Sequence, residues 1–301
     1  MPITGDEQGL LSSSRQPGAE VDRTAGGVGR VPHLLPIAVA ILAMSASLAG
    51  LLIDGINTAE TSAAEMFRGF DLVTAVVVAP SLVVAARLAQ RGSVQAQLIT
   101  TSLVAYIIYT YAYYLFGTGF NDLFLLHAAT FATALLALVL TLAALDVSAV
   151  AERFGPRTHV RGIAAILGTL GIALGGMWIF FAIDNAVTGD IPAGSQLVET
   201  DSVVHLGMAL DLTLLVPLYL AAATLLWRRA PWGFVLAAIA LIAGVLHQVS
   251  YLVALPLQVT ADVEGAVYYD PVEPIIVLMY LVATSLLIRG VDRPTSSGRA
   301  P

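Results

Sequence analysis

The sequence predicts an all-α membrane protein of eight transmembrane helices with both termini cytoplasmic, and three observations carry that prediction. Hydrophobic residues make up 57% of the chain and charged residues only 12%, with a mean hydropathy of +0.84; an ordinary soluble domain is about 25% charged. Eight apolar runs have roughly the 17–25 residues needed to cross a bilayer. The arginines alternate with those runs. All but Arg68 of the 14 basic residues fall in the two tails or in every second loop, where an excess of positive charge marks the cytoplasmic side.

In chain order, residues 1–32 are rich in Gly, Ser and Arg without apolar periodicity and read as a disordered cytoplasmic tail. The first run extends from His33 to about Ile53, longer than the apolar core of a cleavable signal, so it reads as a retained helix. Runs near 70–89, 95–116 and 122–145 complete helices 1–4 within 33–145. A cytoplasmic loop, 146–160, carries Arg153 and Arg157. Helices 5–8 occupy 161–289, with apolar runs near 162–184, 203–227, 232–254 and 272–288, and a cytoplasmic tail closes the chain at 290–301. On the fifth run, Gly168, Gly171, Gly175 and Gly176 have the small-residue spacing that lets helices approach closely.

Composition also excludes chemistry. The chain has no cysteine, hence no disulfide, thiolate ligand or thiol nucleophile. Every basic side chain is arginine, so no lysine can form a Schiff base. A net charge of −7 argues against nucleic acid as a partner and leaves the lipid bilayer as the expected one. The acids lie opposite the arginines. Asp54, Asp71, Asp122, Asp184, Asp190, Glu199, Asp262, Asp270 and Glu273 map to the outer face or the outer helix ends.

Runs five to eight weakly echo runs one to four. Leu51–Asp54 aligns with Phe181–Asp184, Tyr109 with His247, Tyr113 with Tyr251, Asp122 with Glu273, and Pro80 falls one position from Pro217. An even number of helices per half makes this a parallel 4+4 repeat about an axis along the membrane normal. Three blocks, FRGFDLVT (67–74), YTYAYYLFGTGFNDLFLLH (109–127) and LWRRAPWGF (226–234), resemble those of a family of uncharacterised bacterial multi-pass membrane proteins. That resemblance would cover about residues 35–290 and implies a shared helix bundle, with no catalytic assignment.

Asp211 is the residue that most needs explaining. It lies about 12 Å into its run at about 1.5 Å per residue, where an unpartnered carboxylate costs about 2.5–3.5 kcal/mol. Val204, Gly207, Met208 and Asp211 share one helical stripe, which points Asp211 into the bundle, near His247 and near Asp71 or Arg68. His205 lies off that stripe. With Asp184, Tyr109, Tyr113, Tyr251 and Glu273, these residues form the expected ligand-binding set of a pocket open to the outside. His127, His205 and His247 lie at similar depth and are the candidate ligands of a divalent metal, although no HExxH motif accompanies them. Three readings stay open: a protein that binds or transports a cation or cationic small molecule, a metal-dependent hydrolase of a lipid-like substrate, and an accessory or scaffold subunit.

Overall fold

The computed structural model describes residues 31–53, 55–56, 60–190, 192 and 195–291. Asp54 and the arginines of both tails lie outside them. Among the described residues all regular structure is helical apart from one bridge, Phe154 to Val291. Seven helices are long and apolar enough to cross a membrane. They are α1 (Val31–Leu52), α2 (Thr61–Ala89), α3 (Val94–Phe116), α4 (Phe124–Ala143), α5 (Val160–Thr188), α6 (Asp201–Trp227) and α7 (Pro231–Thr260). The chain is therefore a multi-pass membrane protein. The eighth apolar run forms α8 (Glu273–Arg289), of 17 residues, a length of about 25 Å against a hydrocarbon core of about 30 Å.

Local chemistry sets the helix ends. Gly92, at φ +85°, turns the chain, and the Ser93 hydroxyl then caps α3 by accepting from the Ala96 amide at 3.3 Å. Gly189, at φ +78°, ends α5 in the left-handed conformation that glycine adopts without strain. Inside α2 and α6 the backbone widens into one π turn each, Thr74–Val78 and Asp211–Leu215. Each π turn ends two residues before a proline, Pro80 or Pro217. A proline ring lacks the N–H and clashes with the carbonyl one turn back, and a widened turn relieves that clash without ending the helix.

The bundle is built around α3. In its most apolar stretch 72% of residues are buried, against 22% in α4 and in α5. It packs against α2, α4, α6 and α7. The second half of α7, with Tyr251, Ala254 and Leu255, joins one core with α1–α4. Its first half, from Phe234 to Leu241, joins a second core with α5, α6 and α8. Helix α7 thereby ties the two cores together. Against α2 it packs so closely that a Cβ on Gly69 would lie 2.7 Å from the Ala254 backbone.

Arg-bearing turns gather at one end. Arg229 donates to the carbonyls of Pro156 and Thr158 at 3.2 and 3.3 Å, and the Gly155 amide donates to the Gly290 carbonyl at 3.2 Å. The turn before α5, the α6–α7 turn and the end of α8 are thus neighbours.

Candidate functional site

Two buried carboxylates meet α3 from different sides. Asp211, the first residue of the α6 π turn, is 8% exposed. Its Oδ1 accepts from the Tyr109 hydroxyl at 2.6 Å and its Oδ2 from the Trp178 indole Nε1 at 2.7 Å. Tyr113, one helical turn from Tyr109, extends the chain through a 3.2 Å hydroxyl–hydroxyl contact. A Cβ on Gly207 would lie 3.0 Å from the Tyr113 hydroxyl, so the space on the Asp211 stripe is filled by a tyrosine of the neighbouring helix. Asp71, on α2, is 3% exposed and accepts from the Tyr114 hydroxyl at 2.9 Å. Successive α3 residues differ by about 100° around the axis, so Tyr109 and Tyr113 present a different face from Tyr114.

Neither carboxylate faces a base. Among the described residues the one ion pair is Arg68 with Glu65, on a single turn of α2 at 3.3 Å. Arg68 is exposed there and does not reach Asp211. The expected contact of Asp211 with His247 is taken by Tyr109, against whose ring His247 packs edge-on at 5.0 Å. Asp71, expected near Asp211, is bonded instead to Tyr114.

The remaining sequence-selected residues lie elsewhere. Asp184 is exposed near the end of α5. Tyr251 donates to Asp270 at 2.7 Å and accepts from the Gln196 amide at 3.1 Å. Glu273 accepts from Gln248 at 2.6 Å. The expected ligand-binding set thus divides among separate places. The metal expectation fares likewise: His127 packs against Tyr111 and Tyr114, His247 against Tyr109 and Phe70, and His205 is exposed. Among the described residues no three His, Cys, Asp or Glu side chains come together as metal ligands. The three histidines stand on three helices that face different partners.

Two residues of consequence were missed from the sequence. Trp178 continues the glycine stripe of α5. Gly168, Gly171 and Gly175 face Ala223, Tyr219 and Val216 of α6 in antiparallel register, and the next step brings Trp178 to Asp211. The stripe was a legible signal of close approach, and extending it by one turn would have reached the tryptophan. Gln258, fully buried, is the second. Its side chain accepts from the Val198 amide at 2.9 Å and donates to the Val198 and Ser62 carbonyls at 2.8 Å, fastening the segment before α6 to α2 and α7. Leu197 of that segment is buried in the first core. A glutamine near the end of an apolar run carried no signal beyond its polarity.

Glu199 also lies on that segment and accepts from the Ser195 hydroxyl at 3.0 Å. Burial pushes its carboxyl up to about 7; the Ser195 hydrogen bond works against that shift and the charge of Asp211 adds to it. Comparison with protein-family models, with curated proteins and with solved structures finds no match. The blocks that resemble a bacterial membrane family therefore assign this chain to none.

Proposed function

We propose that this protein binds and carries a small organic cation across the membrane, with Asp211 holding the charge. One observation carries the reading: a buried carboxylate in an apolar bundle has only neutral partners, the Tyr109 hydroxyl and the Trp178 indole. An intramembrane acid without a base is expensive, and such groups mark ion and substrate pathways. The surroundings suit an ammonium or guanidinium group. Tyr109 and Trp178 meet the carboxylate with their polar edges, and Tyr113 and His247 pack on Tyr109; aromatic side chains of this kind attract organic cations through their faces once water is excluded. In this reading the cation takes the place of one neutral donor. The acidic outer ends of the helices concentrate it from outside, and the segment fastened by Gln258 covers its way in.

Orientation belongs to the same proposal, with both termini and the Arg-bearing turns cytoplasmic and α8 as an eighth crossing. Reporter fusions after Arg91, Arg161 and Arg229 are expected to report cytoplasm, and fusions near Asp190 and Glu264 the outside. The parallel 4+4 repeat is supported by the π turn and proline that α2 and α6 share. For the hydrolase alternative, the separation of the three histidines gives no support.

The test is uptake of labelled tetramethylammonium, choline and guanidinium into proteoliposomes. Uptake above protein-free liposomes that falls at least tenfold in Asp211→Asn, with the variant still folded at the assay temperature, is the expected result. Uptake no greater than in protein-free liposomes, or equal in the variant, overturns the proposal and leaves a structural role for Asp211.

A further inference from the structure

The second carboxylate is surrounded differently. At Asp71, on α2, α1 brings Ser47 and α3 brings Tyr114, and α4 sets His127 against the Tyr114 ring. Ser47 lies beside the Asp71 carboxyl, within reach to donate to it, and is fully buried with no other partner for its Oγ. Thr110 is one helical turn from Tyr114 on the same stripe of α3, beside the Tyr106 hydroxyl; it is 1% exposed and its Oγ1 makes no bond of good geometry. His127, 2% exposed, packs on the Tyr114 ring at 4.7 Å with its Nδ1 unpartnered. A buried polar atom left without a partner costs about 1–3 kcal/mol, and here such atoms lie on the helices packed about one carboxylate that faces no base. One occupant answers both deficits. It must be positive, small enough to share the space with packed rings, and bound by oxygen.

We propose that Asp71, Ser47, Thr110 and Tyr114 form a site for a dehydrated sodium ion, separate from Asp211. A hard monovalent cation takes carboxylate, hydroxyl and carbonyl oxygens, the atoms gathered here. The α2 backbone contributes as well. One turn deeper lies the π turn Thr74–Val78, followed by Pro80, which has no N–H to offer a preceding carbonyl. Interrupted helices with freed carbonyls are where membrane carriers hold their coupling ions. His127 walls the site from α4 and fixes the Tyr114 ring.

The experiment uses the full chain purified in detergent, with binding of radioactive sodium measured directly and unfolding followed in NaCl, KCl and N-methylglucamine chloride at constant chloride. Saturable sodium binding is expected, with an unfolding midpoint about 5 °C higher in NaCl than in the other salts. Asp71→Asn is expected to abolish both effects, Ser47→Ala and Thr110→Ala each to weaken binding about tenfold, and Asp211→Asn to leave sodium binding unchanged. Should Asp71→Asn fail to fold, the two hydroxyl variants decide. No sodium bound to the parent protein, or parental binding in Asp71→Asn or in both hydroxyl variants, overturns the proposal. Loss in Asp211→Asn with retention in Asp71→Asn moves the ion to Asp211. Because the two carboxylates are tested separately, this site can fail while the organic-cation reading stands, and the reverse.

Discussion

Asp71 and Asp211 invite comparison because the chain builds them alike and then completes them differently. Both sit on a helix that widens into a π turn ahead of a proline, and both accept from a tyrosine of α3. Asp211 has both oxygens engaged, one by α3 and one by α5. Asp71 accepts from Tyr114 and has the Ser47 hydroxyl beside it. The difference follows from what packs opposite. At Asp211 the glycine stripe of α5 brings an indole N–H within reach. At Asp71 α1 brings a serine, and the α4 histidine packs on the Tyr114 ring. At Asp211 a cation would have to displace one of two neutral donors, whereas at Asp71 an ion would add to the single tyrosine bond.

Six substitutions would break or sharpen that contrast. The largest effect is expected from Asp211→Leu, which strands the Tyr109 hydroxyl and the Trp178 indole at about 1–3 kcal/mol each. Thermal unfolding in detergent should show a much lower midpoint, and a midpoint equal to that of Asp211→Asn would mean the two donors find other partners. Next comes a pair of glycine changes. Gly69→Ala drives a methyl into the Ala254 backbone at 2.7 Å, which cannot rotate away, while Gly175→Ala meets only the Val216 side chain at 3.1 Å. Overpacking costs about 1–3 kcal/mol, so Gly69→Ala should lower the midpoint clearly and Gly175→Ala little. Equal effects would mean that α2 can shift on α7 as freely as α5 on α6.

Trp178→Phe removes one hydrogen bond to Asp211 and keeps most of the ring. A loss of about 1.5–3 kcal/mol is expected for a bond to a charged group. Tyr114→Phe, at the carboxylate proposed to hold an ion, should cost less in the presence of NaCl than in its absence. The reverse ordering would mark Asp71 as the satisfied partner of the two.

The smallest effect concerns Glu199. Its carboxyl is raised from 4.5 to about 7, chiefly by burial. Between those values the folded segment holds a proton that the opened one releases, so the segment is steadiest at the acid side of the window and loosens as pH rises through about 7. Hydrogen exchange of the Gln196–Val198 amides should therefore quicken over that range beyond the intrinsic pH trend, and Glu199→Gln should remove the excess. An unchanged excess in the variant would point to another titrating group.

Much of the architecture was legible in the sequence because the bilayer imposes it. An apolar run must satisfy its own backbone, and in a chain this apolar only a helix does so within one segment; the runs, their order and the gathering of Arg-bearing turns follow from hydropathy and charge. Even the buried stripe of α6, with Val204, Gly207 and Asp211 inside and His205 exposed, follows from helical periodicity. Partners across helices were not legible in that way. Whether Asp211 meets His247, Arg68 or Trp178 depends on the rotation and axial register of α3, α5 and α6, set by glycine contacts and by π turns that each insert one residue's worth of twist. Local sequence reports neither. The tertiary structure alone decided that Arg68 pairs within its own helix, that the three histidines part company, and that two similar carboxylates end in dissimilar surroundings, because a side chain's partner is fixed by the packing of helices distant in sequence.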